Sequence, residues 1–239
     1  MMRLGMLTPS SNTVLEPLTA AMLAGLPGAS AHFSRFRVVA IDLGAGSRGQ
    51  FDAAPVVAAA ELLADARVDS ICWNGTSGAW LGLDVDRALC AAVTARTGVP
   101  ATSATLALME ALRRLGARRY GLVTPYLGEV QDAIVARWAA EAGLECAAER
   151  HLDDPGNFSF AGHGEGVVRR MTREVAAAGP DAVVVHCTNF RGGRVAPELE
   201  TELGMPVLDS VAVALWGAVR AAGGDPGPLA GCWGRVFSL

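Results

Sequence analysis

The chain has 239 residues, enough for one large domain or two small ones with a sizeable core. Its 20 basic and 24 acidic residues leave a net charge of -4 with no basic stripe, which argues against a nucleic-acid partner. Hydrophobic residues make up 51% and mean hydropathy is +0.31. Much of that is alanine at helical spacing, and no apolar run approaches bilayer length, so no membrane partner is expected.

The amino terminus, Met1-Met2-Arg3-Leu4-Gly5, enters a strand-like segment directly, without the apolar stretch and cleavage site of a secretory signal. A cytoplasmic location is the expectation. From there, short β-rich runs alternate with Ala/Leu/Arg segments of helical period, the pattern of an α/β fold with stacked βα units on mainly parallel sheets. Strands are predicted near 3–8, 35–42, 68–74, 99–102, 118–124, 144–150, 181–186 and 205–208. Helices are predicted near 13–25, 52–65, 84–97, 103–115, 127–142, 164–178, 194–203 and 210–222.

The chain also repeats itself. Residues 69–77 (DSICWNGTS) align without a gap with 181–189 (DAVVVHCTN), Leu4-Gly5-Met6-Leu7-Thr8-Pro9 matches Tyr120-Gly121-Leu122-Val123-Thr124-Pro125, and Gly98-Val99-Pro100 matches Gly204-Met205-Pro206. Two copies of one βα design imply two pseudo-symmetric lobes facing each other across a cleft. The expected division is 1–100 plus 208–239 for the first lobe and 101–207 for the second, with the last helix packed back on the first. Within the repeat, Gly75 stands where Cys187 stands, so one wall of the cleft carries a thiol and the other does not.

Ligands in parallel α/β sheets sit beyond the carboxyl ends of strands. The loops expected there are Thr8-Pro9-Ser10-Ser11-Asn12, Gly75-Thr76-Ser77, Thr124-Pro125-Tyr126 and Cys187-Thr188-Asn189. All are polar and uncharged, and backbone N–H groups at helix starts join hydroxyl and amide donors there, a setting suited to a carboxylate or a developing oxyanion. Taken singly, Ser11, Thr76 and Asn189 are better explained as helix caps, and it is the four matching loops on one rim that point to a site.

Cys187 is the candidate acid, base or nucleophile beside those donors. Cys72, Cys90, Cys146 and Cys232 fit the role of small buried hydrophobes, and none of the cysteines has C-x-x-C pairing or disulfide-scaffold density. His186 adjoins Cys187 but, by strand alternation, faces away. Trp73, Trp80 and Phe190 hint at an apolar or aromatic-lined pocket, but core packing explains any one of them better. Gly44-Ala45-Gly46-Ser47-Arg48-Gly49 spells G-x-G-x-x-G, but after a second strand and without an acid closing the next, so no nucleotide is inferred. His32, His151 and His163 lack metal spacing, and no metal is expected.

The run Gly5-Met6-Leu7-Thr8-Pro9-Ser10-Ser11-Asn12-Thr13-Val14-Leu15-Glu16, the Thr124-Pro125-Tyr126 turn, Asn157-Phe158 and Cys187-Thr188-Asn189 together resemble the maleate cis-trans isomerase and arylmalonate decarboxylase branch of the aspartate/glutamate racemase superfamily. The resemblance spans nearly the whole chain. It implies two α/β lobes with the site between them and no cofactor. Racemases and isomerases of that superfamily carry a cysteine in both repeats, whereas Gly75-Thr76-Ser77 resembles the turn of the single-cysteine decarboxylases. By resemblance, Thr76, Ser77 and Tyr126 hold carboxylate oxygens, Cys187 protonates an enediolate, and Asn12 and Asn157 match substrate-binding asparagines of the isomerases.

The first expectation is therefore a cofactor-free decarboxylase of a small carboxylate or dicarboxylate, with Cys187 catalytic and Thr8, Ser11, Asn12, Gly75, Thr76, Ser77, Tyr126, Asn157, Thr188 and Asn189 binding substrate. Isomerisation of a maleate-like alkene comes second and two-base racemisation third, and a non-catalytic carboxylate binder is the alternative of another class. Association into a homo-oligomer is left open.

Overall fold

The computed structural model describes residues 1–38, 41 and 53–239. Two four-stranded parallel sheets with the same order make up its framework, which is the physical content of the sequence repeat. The first runs β2-β1-β3-β4, built from β1 (Met2–Pro9), β2 (Ala29–Phe36), β3 (Ser70–Trp73) and β4 (Ala101–Ser103). The second runs β6-β5-β7-β8, from β5 (Arg119–Val123), β6 (Glu145–Arg150), β7 (Ala182–Val185) and β8 (Val207–Asp209). The inner strands β3 and β7 are buried throughout, as strands covered on both faces must be.

Helices cover the sheets: α1 (Leu15–Leu23), α2 (Ala53–Asp65), α3 (Gly78–Leu81), α4 (Leu83–Thr97), α5 (Ala104–Leu115), α6 (Gly128–Ala142), α7 (Glu165–Ala176), α8 (Ala196–Leu203), α9 (Ser210–Ala221) and α10 (Ala230–Trp233). The start and stop of α5 show why the local sequence folds as it does. The Ser103 hydroxyl accepts from Leu106 N, the buried side is Ala104, Ala107, Leu108, Ala111 and Leu112, and Gly116 at φ 66° ends the helix. No helix among the described residues is long and apolar enough to cross a membrane.

Two expectations need correction. Of the predicted strand at 35–42, residues 39, 40 and 42 lie outside the described residues, and the strand found there, β2, runs over 29–36 as an edge strand paired only with β1. Most of its residues are half-buried, so its sequence lacks the apolar run that marks a central strand. The sheets also keep β4 with the first lobe and β8 wholly with the second, so the expected divisions at 100 and 207 fall a few residues short of the strand ends. Gly44–Gly49 lies outside the described residues.

The last long helix crosses back. α9 is buried on almost every side and packs on α5, β3 and β4, and Ser70 Oγ donates to Ala218 O at 2.8 Å. Gly217 permits that approach, since a Cβ there would lie 2.6 Å from Ala107 Cβ. The lobes thereby share one core.

Candidate active site

The carboxyl ends of β1, β3, β5 and β7 converge, as the parallel topology requires, on one small cavity. Its lining includes Gly75, Thr76 and Ser77 from the first lobe and Tyr126, Asn157, Cys187 and Thr188 from the second. Its volume is about 20 Å³, room for about one water.

Hydrogen bonds across the lobes hold this wall together. Thr76 and Tyr126 share one between hydroxyls at 2.6 Å. Thr188 Oγ1 donates to Asn74 O at 2.7 Å and accepts from Asn12 Nδ2 at 3.1 Å. Asn157 Nδ2 donates to Ser11 Oγ at 2.7 Å, and Ser11 Oγ in turn donates to Val38 O at 2.7 Å. Asn189 Nδ2 donates to Asn157 O at 2.5 Å, fixing the loop that carries Asn157. Asp154 braces that loop from within, accepting from Gly156 N at 2.9 Å and Ser159 Oγ at 2.5 Å and facing His163 Nε2 at 2.8 Å.

The candidates thus divide into two groups. Cys187, Gly75, Thr76, Ser77, Tyr126, Asn157 and Thr188 line the cavity. Thr8, Ser11, Asn12 and Asn189 stand behind it. Thr8 Oγ1 turns back to Met6 O at 3.3 Å. Asn12 Oδ1 accepts from Val14 N and Leu15 N, and Asn189 Oδ1 accepts from Thr13 N and Val14 N, so both cap the start of α1. Ser77, by contrast, makes no side-chain bond to the helix it precedes.

Cys187 is 3% exposed and lines the cavity beside the Tyr126 hydroxyl. Burial pushes its thiol up to about 12, outweighing the stabilisation a thiolate would draw from the Tyr126 hydroxyl and Asn189 N, while the carboxylates of Asp209 and Asp154 push the same way. Asn189 N donates to the sulfur at 3.3 Å. Tyr126 is raised well above the ordinary phenol range, chiefly by burial. His186 faces the core, with its ring 5.2 Å from that of Trp138 and its pKa lowered to about 3 by burial. It is not a partner for Cys187.

Asp209, at the end of β8, is fully buried. Its Oδ1 accepts from Val211 N and Ala212 N, and its Oδ2 has no partner among the described residues. Burial pushes its carboxyl up to about 7.

Apolar residues complete the cavity: Pro9, Val38, Ile41 and Trp80. The Trp80 ring meets Tyr126 edge-on at 5.3 Å, and Tyr126 meets Phe160 at 5.5 Å. Ile41 N donates to Pro155 O at 3.2 Å, joining the lobes over the cavity. Sequence reasoning missed Val38 and Ile41 by reading them as strand, and passed over Pro9 because proline advertises no chemistry. Of the three hinted aromatics, Trp80 alone lines the cavity, while Trp73 lies behind Gly75 and Phe190 is buried against His163.

A family model described as arylmalonate decarboxylase matches residues 27–237. The arylmalonate decarboxylase of Bordetella bronchiseptica is 32% identical over 158 residues, and the match spans 65% of each chain. Among solved structures, a maleate cis-trans isomerase of Nocardia farcinica superposes with a TM-score of 0.86 at 25% identity, covering 99% of this chain and 98% of that one. It is a variant with a cysteine replaced by serine and a covalently bound succinylcysteine intermediate. A liganded arylmalonate decarboxylase variant, with a glycine replaced by cysteine and a cysteine by serine, superposes with a TM-score of 0.81 at 26% identity over 94% of both chains.

Proposed function

This chain is an enzyme belonging to the arylmalonate decarboxylase family, and we propose that it removes one carboxylate from a small malonate-type dicarboxylate without a cofactor. The bond from the α-carbon to the departing carboxylate breaks, carbon dioxide leaves, and the electron pair spreads into the remaining carboxylate as an enediolate. The Cys187 thiol then gives its proton to the α-carbon, and the thiolate is reprotonated from water.

The observation that carries this reading is a single thiol, Cys187, lining the cavity with the neutral donors of Thr76, Ser77 and Tyr126, while Gly75, its counterpart in the repeat, bears no side chain. Held up at about 12, Cys187 is S–H at neutral pH, an acid with a proton to give and a poor nucleophile. Around it stand neutral donors, from Thr76, Ser77 and Tyr126, suited to the charge that grows on the retained carboxylate. The apolar side made by Val38, Ile41 and Trp80 suits the group that leaves as neutral carbon dioxide. A free thiol as the acid fits a reducing, cytoplasmic setting.

Removing the acid gives the test. Cys187→Ala is expected to lower carbon dioxide release from 2-aryl or 2-alkyl malonates by at least about 100-fold, with the melting temperature little changed. Full turnover in that variant would rule the reading out. A second reading, isomerisation of a maleate-type alkene, is favoured by Asn157 in the cavity wall and by the likeness to the isomerase that carries a succinylcysteine. It requires the thiolate to add to the double bond. Incubation with maleate followed by mass spectrometry of the intact protein decides: a covalent adduct on Cys187 supports isomerisation.

A further inference from the structure

Gly75 is the one member of the cavity wall whose lack of a side chain is enforced by a neighbour. A Cβ built there would lie 1.9 Å from Trp73 Cζ2 and 2.4 Å from both Cε2 and Cη2, all atoms of the indole. Trp73 is the last residue of β3, two before Gly75, and its indole lies where a side chain at Gly75 would point. It cannot easily swing aside: it is 2% exposed, and its ring is held against Phe36 at a centroid distance of 4.8 Å.

The second repeat makes the complementary choice. Aligned with Trp73-Asn74-Gly75 is Val185-His186-Cys187, so a small residue stands where the indole stands and a thiol where the glycine stands. Both strands end at the same level of their sheets, Trp73 paired with Leu7 and Val185 with Val123. Bulk has been exchanged between two positions of one design. The missing thiol is therefore part of a coupled pair of differences.

We infer that Trp73 is the specificity-determining residue of this cavity: its indole fills the volume that any side chain at position 75 would need and confines thiol chemistry to the Cys187 wall. This steric assignment stands on geometry alone. Its chemical consequence, proton delivery to one face of the intermediate, rests on the decarboxylase reading above.

The experiment has a stability arm and a chemical arm. Gly75→Ala is expected to lower the melting temperature by about 5 °C, as overpacking of a closed core does in a chain of this size. In a Trp73→Val background, which copies the second repeat, the same alanine is expected to cost almost nothing. Should Trp73→Val not fold, Trp73→Leu serves the same purpose, and failure of Gly75→Ala alone to fold while the double variant folds is itself the expected rescue. An equal cost in both backgrounds, or none in either, overturns the assignment.

For the chemical arm, an enantiopure 2-substituted product acid is incubated in deuterated water. Gly75→Cys combined with Trp73→Val is expected to exchange the α-hydrogen with inversion at least 10-fold faster than Gly75→Cys alone. Equal inversion by the single variant overturns the role given to Trp73. If the stability coupling is present and neither variant promotes exchange, Trp73 keeps its steric role and loses its chemical one, while the decarboxylase reading is decided separately by carbon dioxide release in Cys187→Ala.

Discussion

Cys187 lies between opposing influences. Enclosure keeps its proton on, whereas the Tyr126 hydroxyl and the Asn189 N–H would each stabilise the thiolate, and enclosure wins. With the thiol raised from 9.0 to about 12, its protonated form is the abundant one throughout the neutral range. Turnover limited by that acid should be flat from about pH 6 to 9, whereas a thiolate nucleophile would give a rate that climbs with pH across the same window. A kcat profile distinguishes them. The residues that line the cavity were legible because the repeat displayed four uncharged polar loops together at strand ends, where any one alone would pass for a helix cap. The split between lining and bracing was not legible. Asn12 and Asn189 have the same chemistry as Asn157, and only the fold decides that their Oδ1 atoms turn toward the first backbone N–H groups of α1.

Those caps are an element-scale device, since the start of α1 in the first lobe is satisfied in part by an asparagine of the second. Asn189→Ala leaves Thr13 N without its partner and removes one of the two acceptors of Val14 N. The expected cost is ~1–2 kcal/mol, read as a lower melting temperature and faster amide exchange at Thr13 and Val14. An unchanged melt would mean that water replaces the asparagine without loss. Long helices such as α5 and α7 were legible because their buried residues recur at three and four positions. The four-residue α3 is too short to show a period, and β2 was displaced because edge strands need not be apolar. Val38 and Ile41, which drew the strand assignment, are apolar where they line the cavity.

At the scale of the whole molecule, the duplicated sheets and the returning α9 place several ionisable groups in a common interior. Asp209, raised from 3.8 to about 7 by burial, binds its proton more tightly folded than unfolded. Its contribution to stability is fully present below the ordinary carboxylate pKa and is lost as pH rises through about 7. Asp86, raised to about 6, acts in the same direction, and His186, lowered to about 3, acts in the opposite one. Asp209→Asn keeps an oxygen to cap α9 and removes the charge, so its melting temperature relative to the unsubstituted chain should rise from pH 5 to pH 8. A difference that does not vary with pH would show that Asp209 is already ionised at pH 5 in the folded protein, its carboxyl not raised. The fold class and the lobes' shared design were legible in the alternating elements and the repeat. How closely the last helix lies on the first sheet was not legible, since it rests on the contact of Ser70 with Ala218. A chamber that admits about one water cannot receive a dicarboxylate without parting its lips. The seam runs through Ile41 with Pro155 and Ser11 with Asn157. On the decarboxylase reading, that seam must open for substrate to enter.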